Sequence, residues 1–193
     1  MIIRRCSAAL LFFVCLRAAM GQTYKIDPAH SKIAFSVPHL LGTARGEFHK
    51  FNGSIVVDRE HPERSSVTAT IQVASIDTQI PRRDTHLLSA DFFDAARFPT
   101  ITFRSRSVRR SGMDTGDIAG DVTLKGVTRP LTLHVKLVTP VAGDDLPGRT
   151  RWVVTSEPIG RKDFNLMFGG TAESISGIGQ QVTPAIQIEA ARE

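Results

Sequence analysis

The segment LTLHVKL sets Leu131, Leu133, Val135 and Leu137 on one face and Thr132, His134 and Lys136 on the other. This is the period of a half-buried β-strand. The same period returns along the chain in Ile33, Phe35 and Val37, in Phe51, Ile55 and Val57, and in Val67, Ala69, Ile71 and Val73. It continues through Ile101 and Phe103, Ile118, Val122 and Leu124, and Trp152 and Val154. A last run, Val182, Ala185, Ile186 and Ile188, is strand-like with its phase unsettled around Pro184. Turn-forming stretches separate the runs: residues 58–66 with Pro62, SGMDTG at 111–116, KGVTRP at 125–130 and GDDLPG at 143–148. Short polar turns between about eight strands describe a meander. An open meander leaves two unpaired edges, and closure removes both, so the expected fold is an all-β, closed antiparallel barrel of about eight strands.

One stretch breaks the period: RRDTHLLSADFFDAARFPTITF, residues 82–103. Asp84 can cap a short helix, Ser89 or Asp91 can restart a second turn, and Pro99 returns the chain to extended backbone. The expectation is a helical insertion near residues 84–94. Its Leu87, Leu88, Phe92 and Phe93 need an apolar surface, and the open end of a barrel offers one.

The first 21 residues, MIIRRCSAALLFFVCLRAAMG, read as a secretory signal peptide: two arginines, an apolar run far shorter than the ~20 residues that span a bilayer, then small residues. The domain expected to remain is residues 22–193. The leader carries three of the 24 basic residues and none of the 19 acids, so the net charge falls from +5 to +2 once it is removed. A strongly basic nucleic-acid binder is thereby disfavoured. Both cysteines, Cys6 and Cys15, also lie in the leader, and the domain carries no disulfide. Phe12, Phe13 and Val14 before Cys15 are too large for a lipidation site.

The chemistry-bearing residues form no catalytic signature. The six histidines, 30, 39, 49, 61, 86 and 134, include no metal-ligand pair at close spacing, and no metal is expected. Asp91, Asp94, Glu157 and Asp163 are candidate acids or bases, but no nucleophile elbow, phosphate loop or dinucleotide fingerprint accompanies them. RSRSVRR at 104–110 reads as the solvated face of a strand. The aromatic positions Phe35, Phe48, Phe51, Phe103, Trp152, Phe164 and Phe168 are the remaining asset. In a barrel of about eight strands they either fill the interior or leave room for one greasy ligand.

YKIDPAHSKIAFSVPH, GEFHKFNGSIVVD, SSVTATIQVASIDT, RRDTHLLSADFFDAARFPTITF, GDVTLKGVTRPLTL and RKDFNL, in this order, resemble the YceI-like family over essentially the whole domain. The resemblance implies a lipocalin-like barrel in the periplasm that holds a polyisoprenoid or similar amphiphilic lipid, without catalytic residues or cofactor, and a homodimer as an assembly to test. Carried onto this chain, it implies an apolar lumen built from Phe35, Phe48, Phe92, Phe93, Phe103, Leu124, Leu133, Trp152 and Phe164. A polar mouth is assigned to His30, Arg45, Arg83, His86 and Asp163. Asn165 departs from the glycine that the family often has after the late Asp-Phe, although asparagine tolerates a left-handed backbone. Two further functions stay open: a hydrolase or isomerase using Asp91, His86 or Asp163, and a solidly packed structural or stress-related module.

Overall fold

The computed structural model describes residues 21–138, 148–167 and 177–193. Residues 1–20 of the expected leader, and Phe168 among the aromatics, lie outside the described residues.

Among the described residues, twelve strands form one sheet that closes on itself. β1 (Gln22–Ile26), β4 (Phe51–Val57), β5 (Ser66–Gln72), β7 (Thr100–Arg110), β8 (Thr115–Leu124), β9 (Val127–Val138), β10 (Arg149–Ser156) and β12 (Gln181–Arg192) pair in that order, and β12 pairs back to β1. All pairings are antiparallel. Three further strands extend three of the eight staves. β2 (Lys32–His39) continues β1 along β12, β3 (Gly42–Phe48) runs into β4, and β6 (Ile76–Asp77) continues β5 along β3. β11 (Ile159–Gly160) pairs with the start of β12. The result is the expected closed antiparallel barrel with one short helix.

The interruptions are hydrogen-bonded substitutes for missing ladder rungs. Between β1 and β2, Asp27 N–H donates to the Glu189 carbonyl at 2.8 Å, and the Ser31 hydroxyl accepts from Glu189 N–H at 2.8 Å. The bends between β3 and β4 and between β5 and β6 match each other: Gln72 N–H donates to Lys50 O at 2.8 Å, and His49 N–H to Ser75 O at 3.1 Å. A buried backbone polar group without a partner is costly, and these bonds let the staves bend without that cost.

In the last strand, Val182, Pro184, Ile186 and Ile188 share the inner face, which resolves the phase around Pro184. The proline sits beyond Ile186, where pairing with β10 ends, and so removes no rung on that side.

The helix begins earlier than the sequence suggests. α1 spans Pro81–Leu88, with Ile80 as its N-cap and no side-chain cap. Proline suits the first helical position because its φ is already helical and no N–H is needed there. Asp84 lies inside the first turn and instead accepts from the Thr78 N–H at 3.0 Å and the Thr78 hydroxyl at 2.5 Å. No second helix follows. Phe93 N–H donates to Leu87 O at 2.9 Å and Asp94 N–H to Ser89 O at 2.8 Å, folding residues 89–95 into turns with Asp94 at φ 51.

Candidate functional site

The barrel is hollow. A cavity of about 710 Å³ runs inside it, lined almost entirely by apolar side chains that the eight staves project inward. β9 has 12 residues. At ~3.4 Å per residue and a tilt of about 40°, a stave of that length gives a lumen roughly 30 Å tall. The middle is aliphatic, with Ile26, Ile55, Ile71, Ile118, Val122, Leu131, Val135 and Ile188 on the wall. Polar atoms on lumen residues bond to their own strand: Trp152 Nε1 donates to Thr150 Oγ1 at 3.0 Å, and the Tyr24 hydroxyl to Gln22 Oε1 at 2.8 Å.

At the end that carries α1, aromatic rings narrow the lumen just inside its rim. Phe35 and Phe48 lie 5.6 Å apart between centroids, Phe48 meets Phe93 edge-on at 6.4 Å, and Phe92 meets Phe93 at 5.5 Å. Phe92 and Phe93 are buried, whereas α1 itself buries no residue completely. The narrowing therefore comes from the turn after the helix, with Leu87 and Leu88 packed against the same core. Two glycines make room for rings on the wall. A methyl group at Gly46 would lie 2.6 Å from Phe35 Cζ, and one at Gly120 would lie 2.6 Å from Phe103 Cζ.

All nine residues assigned to the lumen from the sequence line this cavity. Of the five assigned to the mouth, Arg45, Arg83 and His86 line its helical end. Arg83 is held by Thr78, to which its Nε donates at 2.7 Å and its Nη2 at 2.8 Å, through the hydroxyl and the carbonyl respectively. His30 and Asp163 do not line the cavity. His30 sits in the β1–β2 interruption on the outer wall, where its Nδ1 lies 2.8 Å from Asp27 Oδ2. Asp163 is exposed in the 3-10 helix Arg161–Phe164.

That 3-10 helix supplies the residue the sequence did not single out. Arg161 is only 2% exposed, lines the cavity, donates from Nη1 to Gly179 O at 3.1 Å and lies over the Phe92 ring at 5.4 Å. Asn165 ends the helix in the left-handed region at φ 55, as the asparagine there permits.

The outer wall carries a separate ionic group. Arg149 Nη1 contacts Asp27 Oδ2 at 2.9 Å and Glu189 Oε1 at 2.6 Å, and Arg151 Nη2 reaches Glu189 Oε2 at 3.2 Å. The His30 hydrogen bond holds the Asp27 carboxyl below its usual range, with Arg149 adding to it, and Arg149 does the same for Glu189. Asp27, His30 and Glu189 place ligand-type atoms within 4.8 Å of one another, but the Arg149 guanidinium already bridges the two carboxylates.

The fold and the lumen together define a class: an up-and-down barrel with one continuous apolar cavity narrowed by aromatic rings at one end. Residues 24–190 match the model of the YceI-like domain, and the chain belongs to that family. It is 41% identical to Protein YceI of Escherichia coli O157:H7 over 153 residues, covering 77% of this chain and 78% of that protein. Protein YceI of Salmonella arizonae is 37% identical over 190 residues, covering 96% and 94%. Among solved structures, BcnA of Burkholderia cenocepacia superposes with a TM-score of 0.77 at 24% identity, over 86% of this chain and 99% of that one. A polyisoprenoid binding domain from Saccharophagus degradans gives 0.67 at 17% identity, over 89% and 99%. These two likenesses concern the fold.

Proposed function

We propose that the protein is an exported carrier that holds a polyisoprenoid or similar amphiphilic lipid in its lumen. The cavity carries this reading: about 710 Å³ of apolar space inside a closed barrel, within the range of small-molecule sites. Burial of each methylene is worth ~0.8 kcal/mol, so a five-carbon isoprene unit contributes about 4 kcal/mol of gross transfer energy. Several such units outweigh the cost of immobilising the chain. The neighbour from Saccharophagus degradans, described as a polyisoprenoid binding domain, supports the same ligand class. The leader supports export to the periplasm, and among the described residues no helix is long and apolar enough to cross a membrane.

The enzyme reading draws less support. Of His86, Asp91 and Asp163, only His86 lines the cavity. The solidly packed module is disfavoured by the cavity itself. Organic extraction of the purified protein followed by mass spectrometry tests the proposal. An apolar amphiphile recovered unchanged and near one per chain supports a carrier, and a turned-over product would support the enzyme instead. Recovery of nothing, together with failure of the stripped protein to take up a polyprenol, overturns it. The reading includes a homodimer, which light scattering at the mass of one chain would remove.

A further inference from the structure

Two hairpin tips stand at the helical end, and they differ in chemistry. The β8–β9 tip is Lys125–Gly126, with φ of 48 and 73, the left-handed pair that a tight two-residue hairpin requires. The β2–β3 tip is Leu40–Leu41, closed by the His39 to Gly42 pairing. Leucine has no turn-forming advantage there. Both side chains stand in solvent, Leu40 at 84% and Leu41 at 90% exposure.

The backbone beneath them is fixed. Leu40 N–H donates to Gly177 O at 2.9 Å, and Leu41 N–H donates to His39 Nδ1 at 3.2 Å. His39 bridges to Ile178, which lines the cavity, as does Val37 on the same strand. The leucines are thus presented rigidly beside the lumen, and Ile80, 47% exposed at the start of α1, lies at the same end.

The charges of the rim suit a particular surface. Among the described residues lining the helical end, the ionisable ones are Arg45, Arg83, His86 and Arg161, with no acid beside them; the other end is lined by the acids Asp58 and Asp114 together with Arg59, Arg109 and Arg110. Of the nearby acids, Asp77, Asp84 and Asp94 are engaged by Gln79 and His49, by Thr78 and by Arg97, while Asp91, Glu157 and Asp163 stand exposed outside the cavity lining. Exposed leucines beside the exposed Arg45 and the half-buried Arg83 match the interface of an anionic bilayer, where apolar side chains enter the acyl boundary and these two guanidinium groups meet the headgroups.

We propose that Leu40 and Leu41 form a wedge that docks the helical end on an anionic lipid bilayer, setting the mouth of the lumen against the membrane. Combined with the carrier reading, on which this second step rests, cargo then passes between bilayer and lumen without crossing water.

The test is co-sedimentation of the exported, processed protein with vesicles of phosphatidylethanolamine and phosphatidylglycerol, and with vesicles of phosphatidylcholine alone. The wild type is expected to partition onto the anionic vesicles, and the double variant L40S/L41S to partition about tenfold less or weaker still. V153S, which changes an exposed apolar residue on the barrel wall, is expected to bind like wild type. Equal melting temperatures for all three establish that folding is intact. Absence of wild-type binding to anionic vesicles, equal binding by the double variant, or equal binding to phosphatidylcholine overturns the proposal. Extraction separates the two claims: leucine-dependent docking by a protein that yields no lipid leaves the wedge standing and removes the carrier.

Discussion

Replacement of Phe103 by arginine tests the lumen from within. Phe103 projects into the cavity from β7, its ring lying over Gly120 on β8. In the empty barrel the substitution loses the packing of one half-buried aromatic, about 1.5–3 kcal/mol, and the long side chain can stay hydrated in the open lumen. With a lipid tail present, the guanidinium must instead give up water against hydrocarbon, at several kcal/mol for an ion without a partner. If only about 3–4 kcal/mol of that cost falls on binding, affinity drops by roughly 200- to 1,000-fold. The variant should therefore fold, melt several degrees lower and retain no lipid. Circular dichroism establishes the fold and extraction with mass spectrometry reads the retention. F103L, which keeps an apolar side chain, should retain cargo. Wild-type lipid content in folded F103R would refute the placement of this residue against a ligand.

Three further expectations follow from particular contacts. G120A brings a methyl group 2.5 Å from Arg104 O and 2.6 Å from Phe103 Cζ, so it should cost about 1–3 kcal/mol and lower the melting temperature, measured by calorimetry. D84A removes the acceptor for two Thr78 donors and should speed amide exchange in α1 while leaving the middle of the staves protected, read by hydrogen–deuterium exchange. The carboxyls of Asp27 and Glu189 are held below their ordinary 3.8 and 4.5, so their contribution is fully present above those values and is lost as pH falls through the lowered ones. The melting temperature should stay level from neutrality to about pH 5 and fall below it, and E189Q should flatten that acid slope.

Alternation made the wall of the lumen legible before the fold. On a stave, every second residue faces inward, so Leu133, Leu124, Phe103 and Trp152 could be assigned from spacing, with the resemblance supplying the use. Where the period lapses, sidedness is lost. His30 falls in the break between β1 and β2, and nothing in the sequence shows that it turns outward to Asp27. Asp163 fails for a different reason. In a 3-10 helix residues three apart share a face, so Arg161 and Phe164 turn inward together and Asp163 does not. That spacing is the signal by which Arg161 was open to discovery. The paired bends at His49–Lys50 and residues 73–75 had no local marker, because they are matched across two strands rather than written in either one.

A tail held in the barrel is tested most directly by a crystal structure of the protein purified from its own cells without detergent. Continuous tubular density is expected from the rim near Arg83, past Phe93 and Phe103, into the aliphatic middle around Ile118. A lumen collapsed onto its own side chains, or one occupied by separate water peaks alone, would contradict it.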